Sequence, residues 1–485
     1  MEYTSTRNSA LRCSSAQAIV TGIAPDGGLF VPTEFPTLDV RELVGLTYPQ
    51  TAVKILSRYL TDYDIAFLEQ SAEKVYSDAN FGGKAGFVAR PEENSCLLEL
   101  WHGPTCAFKD YALQMMPKLL VEGKKIIGDS SMTKILVATS GDTGKAALAG
   151  YAGLEGIRIA VFYPNDGTSE VQRLQMVTQD GDNVSVYAVE GNFDDAQTGV
   201  KRAFTDEALR SALAEKGEKL SSANSINWGR LVPQIVYYFY SYASLLGSGA
   251  IREGEKIDFC VPTGNFGDIL AGYYAMRMGL PVGRLICASN CNDVLTEFLS
   301  TGVYNARRPF HKTTSPSMDI LVSSNLERLL YHVTGDSERV RGWMKELNET
   351  GTYTVDKQTL AAIQAVFGCG SASDAQAAQA IQELFSRTHY LMDPHTAVAW
   401  HVARGTAKKG ALCVILSTAD PYKFPCSVLA ALGKEVPEDE FEAMRELSRA
   451  TDTKAPDALA GLRDRSVRFT ETIHPLSISD AALNL

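Results

Sequence analysis

The sequence predicts an α/β protein built on parallel sheet that helices cover on both faces, preceded by a mostly helical N-terminal unit. Strands that are apolar along their whole length are typical of parallel sheets, which are buried on both faces. Six such segments are each followed by a turn or a helical pattern: 134–140, 157–164, 184–190, 256–262, 284–290 and 411–418. Residues 1–90 lack this alternation and carry helical patterns at 48–60 and 65–79.

The chain therefore divides into three predicted domains, because 485 residues exceed what one simple core accommodates. These are a mostly helical N-terminal domain (1–90), a smaller α/β domain (91–215) and a larger α/β domain that ends in helices (216–485). Parallel sheets bind ligands beyond the carboxyl ends of their strands. The loops that follow the strands are thus where candidate site residues are expected.

Composition excludes several classes of function. The net charge is −11 and no Lys/Arg cluster offsets it, so no nucleic-acid surface is expected. Nine cysteines are spread singly without a C-x-x-C pair, which argues against a zinc site and against a disulfide framework. The first residues have no apolar signal region, and the most apolar run (235–247) is too short to span a bilayer. We expect a cytoplasmic protein in a reducing compartment, with no membrane partner.

The segment HGPTCAFKD (102–110) contains the first candidate for chemistry. Lys109 lies between Phe108 and Asp110, shortly after a Gly-Pro turn. A solvated lysine needs no such setting. A nucleophilic lysine does, because desolvation or a nearby cation lowers its pKa from about 10.4 and frees the amine.

A glycine-containing turn at 263–267 is the second candidate. A strand ends there, and a helix begins near Asp268. Glycines allow close approach of a ligand, and the unpaired N–H groups at a helix start bind phosphate. The turn matches neither G-x-x-x-x-G-K-[ST] nor G-x-G-x-x-G. A tight strand-to-helix turn with Asp268 as the N-terminal cap explains it equally well.

Another strand gives way to a polar glycine turn at 138–148. Ser140, Asp142, Thr143 and the local N–H groups form a cradle for a carboxylate or a phosphate. Lys145 lies one turn inside the following helix. It is close enough to reach an anion, but a surface lysine is the more ordinary interpretation.

Two further loops carry polar groups. Asn224, Ser225 and Arg230 precede an apolar helix, and a planar guanidinium binds oxyanions well. A capping cluster with a surface arginine is the alternative. Ser417 and Thr418 end a buried strand, where their hydroxyls either face a ligand or simply begin a turn. The combination of a lysine in an aromatic setting, a helix start for phosphate and a strand-end hydroxyl is what pyridoxal phosphate requires.

These motifs, taken in order, resemble the threonine synthases, specifically the branch with an extra N-terminal domain in enteric bacteria and fungi. The resemblance runs along most of the chain. It departs near the end, where Asp420 stands in place of a histidine and Tyr422 in place of a small residue. The matching segments are YTSTR, GIAPDGGLFVP, LWHGPTCAFKD, SGDTG, NSINWGR, GNFGDILAG, SPSMDI, SNLERLL, DPHTAVA and STADPYKF.

This resemblance implies a fold-type-II pyridoxal phosphate enzyme similar to tryptophan synthase β, with two doubly wound parallel-sheet domains. Residues 91–215 would then include the cofactor-lysine segment, and 216–485 would bind the cofactor. The implied roles are Lys109 for the Schiff base; Gly264, Asn265, Phe266, Gly267 and Asp268 for the cofactor phosphate; Thr418 for the pyridine nitrogen; Asn224, Ser225 and Arg230 for the substrate phosphate; and Ser140, Asp142 and Thr143 near the substrate carboxylate and cofactor.

The implied reaction converts O-phospho-L-homoserine and water to L-threonine and phosphate, the last step of threonine biosynthesis. Two alternatives stay open. One is a threonine/serine dehydratase-like lyase on the same fold, against which the phosphate-binding segment NSINWGR argues. The other is a threonine-synthase-like protein that binds ligands without turnover. We expect a monomer or a homodimer that needs no metal.

Overall fold

The computed structural model describes residues 1–165, 168–408 and 410–485, and all strands and helices below lie within these ranges. The strands are short, and most are buried. Their bounds are β1 Tyr3–Ser5, β2 Asn8–Cys13, β3 Phe30–Pro32, β4 Phe87–Glu92, β5 Ser95–Glu99, β6 Met132–Ala138, β7 Ile157–Pro164, β8 Val184–Val189, β9 Glu218–Ser221, β10 Ile257–Pro262, β11 Val282–Ser289, β12 Val303–Asn305, β13 Thr352–Thr354, β14 Phe367–Ser371, β15 Cys413–Ser417 and β16 Thr472–Ile473.

Helices outnumber strands and separate most of them along the chain. Their bounds are α1 Ser15–Thr21, α2 Tyr48–Tyr59, α3 Ile65–Val75, α4 Asp78–Phe81, α5 Lys109–Leu113, α6 Met116–Ile126, α7 Asp142–Tyr151, α8 Glu170–Val177, α9 Phe193–Thr205, α10 Glu207–Glu215, α11 Trp228–Leu231, α12 Ile235–Gly247, α13 Gly267–Arg277, α14 Val294–Thr301, α15 Leu326–Thr334, α16 Ser337–Thr350, α17 Lys357–Gln364, α18 Asp374–Thr388, α19 Pro394–Thr406, α20 Pro425–Ala431, α21 Glu440–Thr451, α22 Asp457–Ala460 and α23 Ile478–Leu483.

The N-terminal unit combines helices α1–α4 with a three-stranded antiparallel sheet in the order β2-β1-β3. Capping boxes begin α1 at Ser14 and α2 at Thr47, which satisfies backbone donors that a helix start leaves open. The sheet was not among the predicted elements, because two of its strands have only three residues and β2 is mostly exposed. The unit packs on the rest of the molecule through Trp228, whose buried ring meets Tyr3 and Tyr59 edge to face.

A five-stranded sheet, the small sheet, has the order β16-β8-β7-β6-β9, and all its pairs are parallel. A separate apolar cluster lies between this sheet and helices α9, α10 and α23. The helices α7 and α8 pack together and α7 contacts β7. Two of the strands, β9 and β16, come from parts of the chain beyond residue 215, the predicted end of the smaller α/β domain.

A six-stranded sheet, the large sheet, has the order β14-β11-β10-β15-β5-β4. Its pairs are parallel except β4 with β5. The strand β5 lies in this sheet although it falls within the predicted range 91–215. Sheet membership therefore crosses the predicted boundary between 215 and 216 in both directions, because β5 pairs with β15 and β9 pairs with β6.

The six predicted strands are confirmed as β6, β7, β8, β10, β11 and β15. The strands β5 and β14 were not predicted, since SCLLE is short and FGCGS contains two glycines. Within the described residues no helix is long and apolar enough to cross a membrane. Three neighbouring strands of the large sheet, β10, β15 and β5, run in the same direction. Their carboxyl ends therefore open at one edge of this sheet.

Candidate active site

The loops that follow β5, β10 and β15 bring three sequence-predicted segments together at this edge. Residues after β5 lead to Lys109 at the start of α5, and β10 leads through residues 263–266 into α13. Thr418 follows β15 directly. The Phe108 N–H donates a 2.8 Å hydrogen bond to the Thr418 carbonyl, and Ala107 forms a bridge with Ala419. The lysine segment and the Thr418 segment are thus held side by side.

Lys109 is buried, with a relative exposure of 8%. Its Nζ lies 3.4 Å from Ser317 Oγ, 3.7 Å from Asp142 Oδ2 and 4.6 Å from the centre of the Phe108 ring. Burial lowers its pKa to about 8. The Asp142 carboxylate opposes this shift, whereas the charges of Lys423 and Arg230 reinforce it. The sequence analysis required desolvation or a nearby cation for a nucleophilic lysine, and Lys109 has both.

Asp142 joins Lys109 to a second buried lysine. Its Oδ1 pairs with Lys423 Nζ at 2.8 Å and accepts a 2.9 Å hydrogen bond from Gln172 Nε2. Burial alone would raise the pKa of Asp142, but Lys423 and Lys109 hold it well below its usual range. Lys423 Nζ also donates to the Thr105 carbonyl. A carboxylate with two ammonium neighbours therefore stays ionised beside the Lys109 amine.

The predicted phosphate loop has the geometry of an open helix start. Phe266 precedes α13 with φ +61°, and no side chain caps the first turn. A Cβ at Gly264 would lie 2.8 Å from the Ser317 carbonyl oxygen, so this position admits only glycine without displacement of a neighbouring loop. Among the described residues the first N–H groups of α13 have no side-chain partner, which is the arrangement that binds phosphate.

Asp268 is not the N-terminal cap that the alternative interpretation assigned to it; Phe266 holds that position. Its carboxylate accepts hydrogen bonds from the Tyr237 hydroxyl at 2.6 Å and the Tyr238 hydroxyl at 3.0 Å. Burial raises its pKa to about 6, although both tyrosines and the charge of Lys109 lower it. Only the backbone N–H of Asp268 belongs to the open helix start.

Arg230 is buried, which excludes the surface arginine of the alternative interpretation. Its Nη1 donates to the Ala223 carbonyl at 2.6 Å, and its Nε has no hydrogen-bond partner among the described residues. Burial lowers its pKa to about 10. A buried guanidinium without a carboxylate is costly unless an anion meets it. Asn224 and Ser225 lie partly exposed on the same segment.

Ser225 adjoins the phosphate loop. Its Cβ lies 4.0 Å from the position a Cβ would take at Gly267. Ser324 Oγ lies 3.4 Å from both Ser225 Oγ and Asn265 Oδ1. The segment 224–230 and the loop 264–268 are therefore neighbours, with residues 323–325 between them.

At the start of α7, Ser140 is exposed and Thr143 is partly exposed, and the N-cap residue Gly141 offers no side chain to cap the helix. Thr139 Oγ1 accepts hydrogen bonds from the N–H groups of Gly141 and Gly144, both at 3.0 Å, which fixes the turn. The expectation that Lys145 is a surface lysine is wrong. It is buried, and its Nζ donates to Gln179 Oε1 at 2.6 Å.

Thr418 is buried at the end of β15, and its N–H donates to Thr396 Oγ1 at 3.3 Å. Asp420, two residues later, is also buried and accepts a 2.8 Å hydrogen bond from the Tyr422 N–H. Burial raises the pKa of Asp420 to about 7, and the charges of Asp393 and Glu99 add to the effect. An acidic group close to neutrality therefore lies two residues from Thr418.

Sequence reasoning missed several residues that shape the site. Ser317 contacts both Lys109 and Asp142, and its N–H donates a 3.1 Å hydrogen bond to His395 Nε2. His395 Nδ1 lies 2.6 Å from Asp393 Oδ2, so the ring donates there and accepts from Ser317. The segments SPSMDI and DPHTAVA, which contain Ser317 and His395, were the available signal, but nothing local to them indicated chemistry.

The described residues fit pyridoxal phosphate. A buried lysine of lowered pKa supplies the amine, and an uncapped helix start beside an obligatory glycine supplies a phosphate cradle. The buried Nε of Arg230 provides an unsatisfied donor for a second anion. Within the described residues no group of three or more His, Cys, Asp or Glu side chains is arranged to hold a metal ion.

Comparisons with known proteins identify the lineage. Three family models match in succession: the threonine synthase N terminus at residues 2–76, the pyridoxal-phosphate dependent enzymes at 92–370 and the threonine synthase C-terminal region at 396–476. The chain belongs to the threonine synthase family. The predicted family, the fold-type-II class and pyridoxal phosphate as the cofactor are thereby confirmed.

Relatives of the family cover nearly the whole chain. The threonine synthase of Pseudomonas aeruginosa is 38% identical over 442 residues, which span 88% of this chain and 90% of that protein. Human threonine synthase-like 1 is 41% identical over 431 residues, 86% of this chain, but the match spans only 58% of the human protein's length. The solved structure of a PLP-bound threonine synthase from Brucella melitensis has a TM-score of 0.89 and 37% identity, covering 100% of this chain and 99% of that one.

Proposed function

We propose that the protein converts O-phospho-L-homoserine and water to L-threonine and phosphate. The observation that carries this proposal is the placement of the buried Lys109 amine between Asp142 and Ser317, beside an uncapped helix start and the partly unpaired Arg230. The uncapped helix start suits the cofactor phosphate, and Arg230 suits the phosphate of a phosphorylated substrate. Family membership supports the same chemistry.

Lys109 is proposed to link the cofactor and to move protons. With a pKa of about 8, roughly a quarter of its amines are neutral at pH 7.5, against about 0.1% for an ordinary lysine. A neutral amine attacks an aldehyde, and once freed it accepts the Cα proton and then the Cβ proton of the substrate. When bound, pyridoxal phosphate supplies an electron sink for these steps. Asp142 then orients the protonated amine.

Arg230, with Asn224 and Ser225, is proposed to bind the substrate phosphate. A guanidinium in a desolvated setting forms strong charge-assisted hydrogen bonds with a phosphate. The same contacts would retain the phosphate after its bond to Cγ breaks, while water adds at Cβ. Phosphate retained there is also placed to shuttle protons in the later steps.

Ser140 and Thr143 are proposed to bind the substrate carboxylate together with the open N–H groups of α7. Asp142 contributes its backbone N–H to this group, whereas like charge keeps its own carboxylate away from that of the substrate, and its ion pairs with Lys423 and Lys109 account for the position of its side chain. Thr418 is proposed to hydrogen-bond the pyridine nitrogen. With a hydroxyl rather than a carboxylate at that nitrogen, the ring would withdraw electrons less strongly. A substrate carbanion would then persist for less time, which favours elimination over racemisation.

The deciding assay offers the purified protein three substrates in parallel. We expect phosphate and threonine in equal amounts from O-phospho-L-homoserine, and no oxoacid from threonine or serine. Oxoacid as the main product would favour the dehydratase-like lyase. A protein that binds pyridoxal phosphate and phosphohomoserine but releases neither product would favour the non-catalytic binding protein.

Two features of the cellular setting belong to the same proposal. All nine cysteines are free thiols, which supports a reducing compartment such as the cytoplasm. A monomer or a homodimer stays the expected assembly. Sedimentation of the protein at several concentrations would distinguish these two states.

A further inference from the structure

Arg328 is a buried arginine that none of the predicted roles uses. Its guanidinium donates to three different segments: Nε to the Phe30 carbonyl at 3.0 Å, Nη2 to the Ile226 carbonyl at 2.6 Å, and Nη1 to Asn325 Oδ1. The residue is fully buried. Phe30 belongs to the N-terminal sheet, and Ile226 lies within the segment 224–230.

Asn325 extends this connection to the phosphate loop. Its Nδ2 donates to the Asn265 carbonyl at 3.0 Å, and its backbone N–H donates to the same oxygen at 3.1 Å. The amide has one donor in use and one acceptor in use, so Arg328 fixes its orientation. One guanidinium thus holds the carbonyl of residue 226 directly and the carbonyl of residue 265 through a single amide.

Glu327, the residue before Arg328 in the first turn of α15, makes a second connection from this helix to the N-terminal unit. Glu327 accepts a 2.5 Å hydrogen bond from Thr6 Oγ1 and pairs with Arg7 Nη2 at 2.6 Å. The charge of Glu327 pairs with Arg7 and acts on Arg328 only without a hydrogen bond, because each hydrogen bond of the Arg328 guanidinium within the described residues goes to a neutral acceptor. Burial lowers the pKa of Arg328 to about 10.

A buried cation with only neutral acceptors is expensive, and an apolar residue would stabilise the core better. A buried guanidinium is justified where it positions other groups, because its planar set of donors fixes several carbonyls at defined angles. Here those carbonyls belong to the two segments that the proposed function assigns to the substrate phosphate and the cofactor phosphate.

We propose that Arg328 is a positioning residue through which the N-terminal unit holds both anion-binding segments, 224–230 and 264–268, in fixed relation. The inference rests on the proposed function for the identity of the two anions. It assigns the N-terminal unit a part in ligand binding, at a distance from the reacting atoms.

The test measures binding rather than turnover alone. Pyridoxal phosphate is titrated into apo-protein, and inorganic phosphate is measured as a competitive inhibitor of the holoenzyme against O-phospho-L-homoserine. Arg328→Met is expected to weaken both affinities about tenfold, the loss expected for one or two hydrogen bonds. It should raise KM more than it lowers kcat. Arg328→Lys keeps the positive charge but has fewer hydrogen-bond donors, so its affinities for pyridoxal phosphate and for phosphate should lie between those of wild type and Arg328→Met.

Two further variants separate positioning from general loosening. Asn325→Leu removes the side-chain contacts to Asn265 and to Arg328 but leaves the bond from Arg328 to the Ile226 carbonyl, so we expect weaker cofactor binding with phosphate affinity within twofold of wild type. Arg277→Met is the control for losing a contact to the N-terminal unit: Arg277 is exposed, its guanidinium lies 4.2 Å from the centre of the Phe35 ring, and its hydrogen bond goes to Tyr273. It should lower the melting temperature while both affinities stay within twofold.

Three results would overturn the inference: a folded Arg328→Met protein with both affinities unchanged, equal losses in Arg277→Met, or equal effects of Asn325→Leu on the two ligands. If Arg328→Met does not fold, Arg328→Lys and Asn325→Leu decide. Failure of the proposed function gives a different outcome, because then wild type itself would show no phosphate inhibition competitive with phosphohomoserine.

Discussion

The Ser317 hydroxyl oxygen lies 3.4 Å from the Lys109 amine and 3.4 Å from the nearer Asp142 carboxylate oxygen. Ser317 is itself held by the buried His395, which Asp393 fixes in turn. The amine is thus surrounded by a carboxylate, a hydroxyl and the more distant charges of Lys423 and Arg230. Its reactivity should therefore respond to changes in that surrounding in a predictable direction.

The pH dependence of cofactor association tests this environment. Only the neutral amine attacks, so the rate at which apo-protein binds pyridoxal phosphate should rise with pH and level off above a midpoint near 8. Asp142→Asn removes the carboxylate that raises the lysine pKa, so the midpoint should move to lower pH. Ser317→Ala keeps that carboxylate, and its midpoint should stay within about half a unit. Stopped-flow absorbance measures these rates; an unmoved midpoint in Asp142→Asn would contradict the assignment.

Lys145 offers a matched comparison for the nucleophile. It is buried like Lys109, and burial likewise lowers its pKa to about 8. Lys109→Ala should abolish the visible absorbance of the cofactor adduct and all phosphate release, whereas Lys145→Met should retain both. Borohydride reduction followed by peptide mass mapping should locate the label on residue 109. A label on residue 145 would refute the assignment of Lys109. The lowered pKa cannot decide between the two lysines, because both have a pKa of about 8.

Gly264→Ala should weaken cofactor binding. The added Cβ would lie 2.8 Å from the Ser317 carbonyl oxygen, so the loop or its neighbour must shift. We expect the dissociation constant of pyridoxal phosphate to rise at least about tenfold, equivalent to about 1.4 kcal/mol. Gly342→Ala in α16 is the control, since a Cβ there meets nothing within 4 Å. Equal affinities of the two variants in a fluorescence titration would argue against a close-packed loop.

Arg230→Met should separate function from stability. Loss of the guanidinium should raise the KM for O-phospho-L-homoserine and weaken phosphate inhibition by about a hundredfold, since truncating a charge-assisted contact costs roughly 2–3 kcal/mol. The melting temperature should rise, because a buried cation without a carboxylate gives way to an apolar side chain. An increase in KM with unchanged turnover and unchanged phosphate inhibition would exclude a role in the chemical step.

Asp420→Asn should stabilise the protein at neutral and alkaline pH. The folded-state pKa of Asp420 is raised to about 7 by burial, whereas the unfolded carboxyl titrates near 3.9. The unfolded state therefore loses its proton first, and stability falls as pH rises from about 4 through 7. The variant should remove this loss, a gain on the order of 1–3 kcal/mol at pH 8 and nearly none at pH 4. Thermal melts at the two pH values give the comparison; an equal gain at both would point to packing instead.

Local patterns were sufficient to predict the strands β6, β7, β8, β10, β11 and β15 and the turns that follow them. Each is a mostly apolar run followed by turn-forming residues, so the information lies within a few neighbouring positions. The Lys109 segment and the loop 264–268 were found for the same reason. The burial of Arg230 and Lys145 was not predicted. A single charged residue near a helix start is expected to be exposed unless the segments that pack over it are known.

Contacts between distant segments were beyond such reasoning. The ion pair of Lys423 with Asp142 and the contact of Ser317 with Lys109 join positions hundreds of residues apart. The pairing of β5 with β15 and of β9 with β6 also joins segments that are distant in sequence. Each depends on how the two sheets are wound, which periodicity and turn chemistry do not encode.

The pairing of β16 with β8 has a consequence for biosynthesis. On the ribosome the first four strands of the small sheet emerge long before the segment around residue 472 that covers the free edge of β8. An uncovered parallel strand edge invites pairing with other chains. We therefore expect the nascent polypeptide to depend on chaperones until the segment around residue 472 has been synthesised, and fragments cut short before residue 470 to accumulate as aggregates.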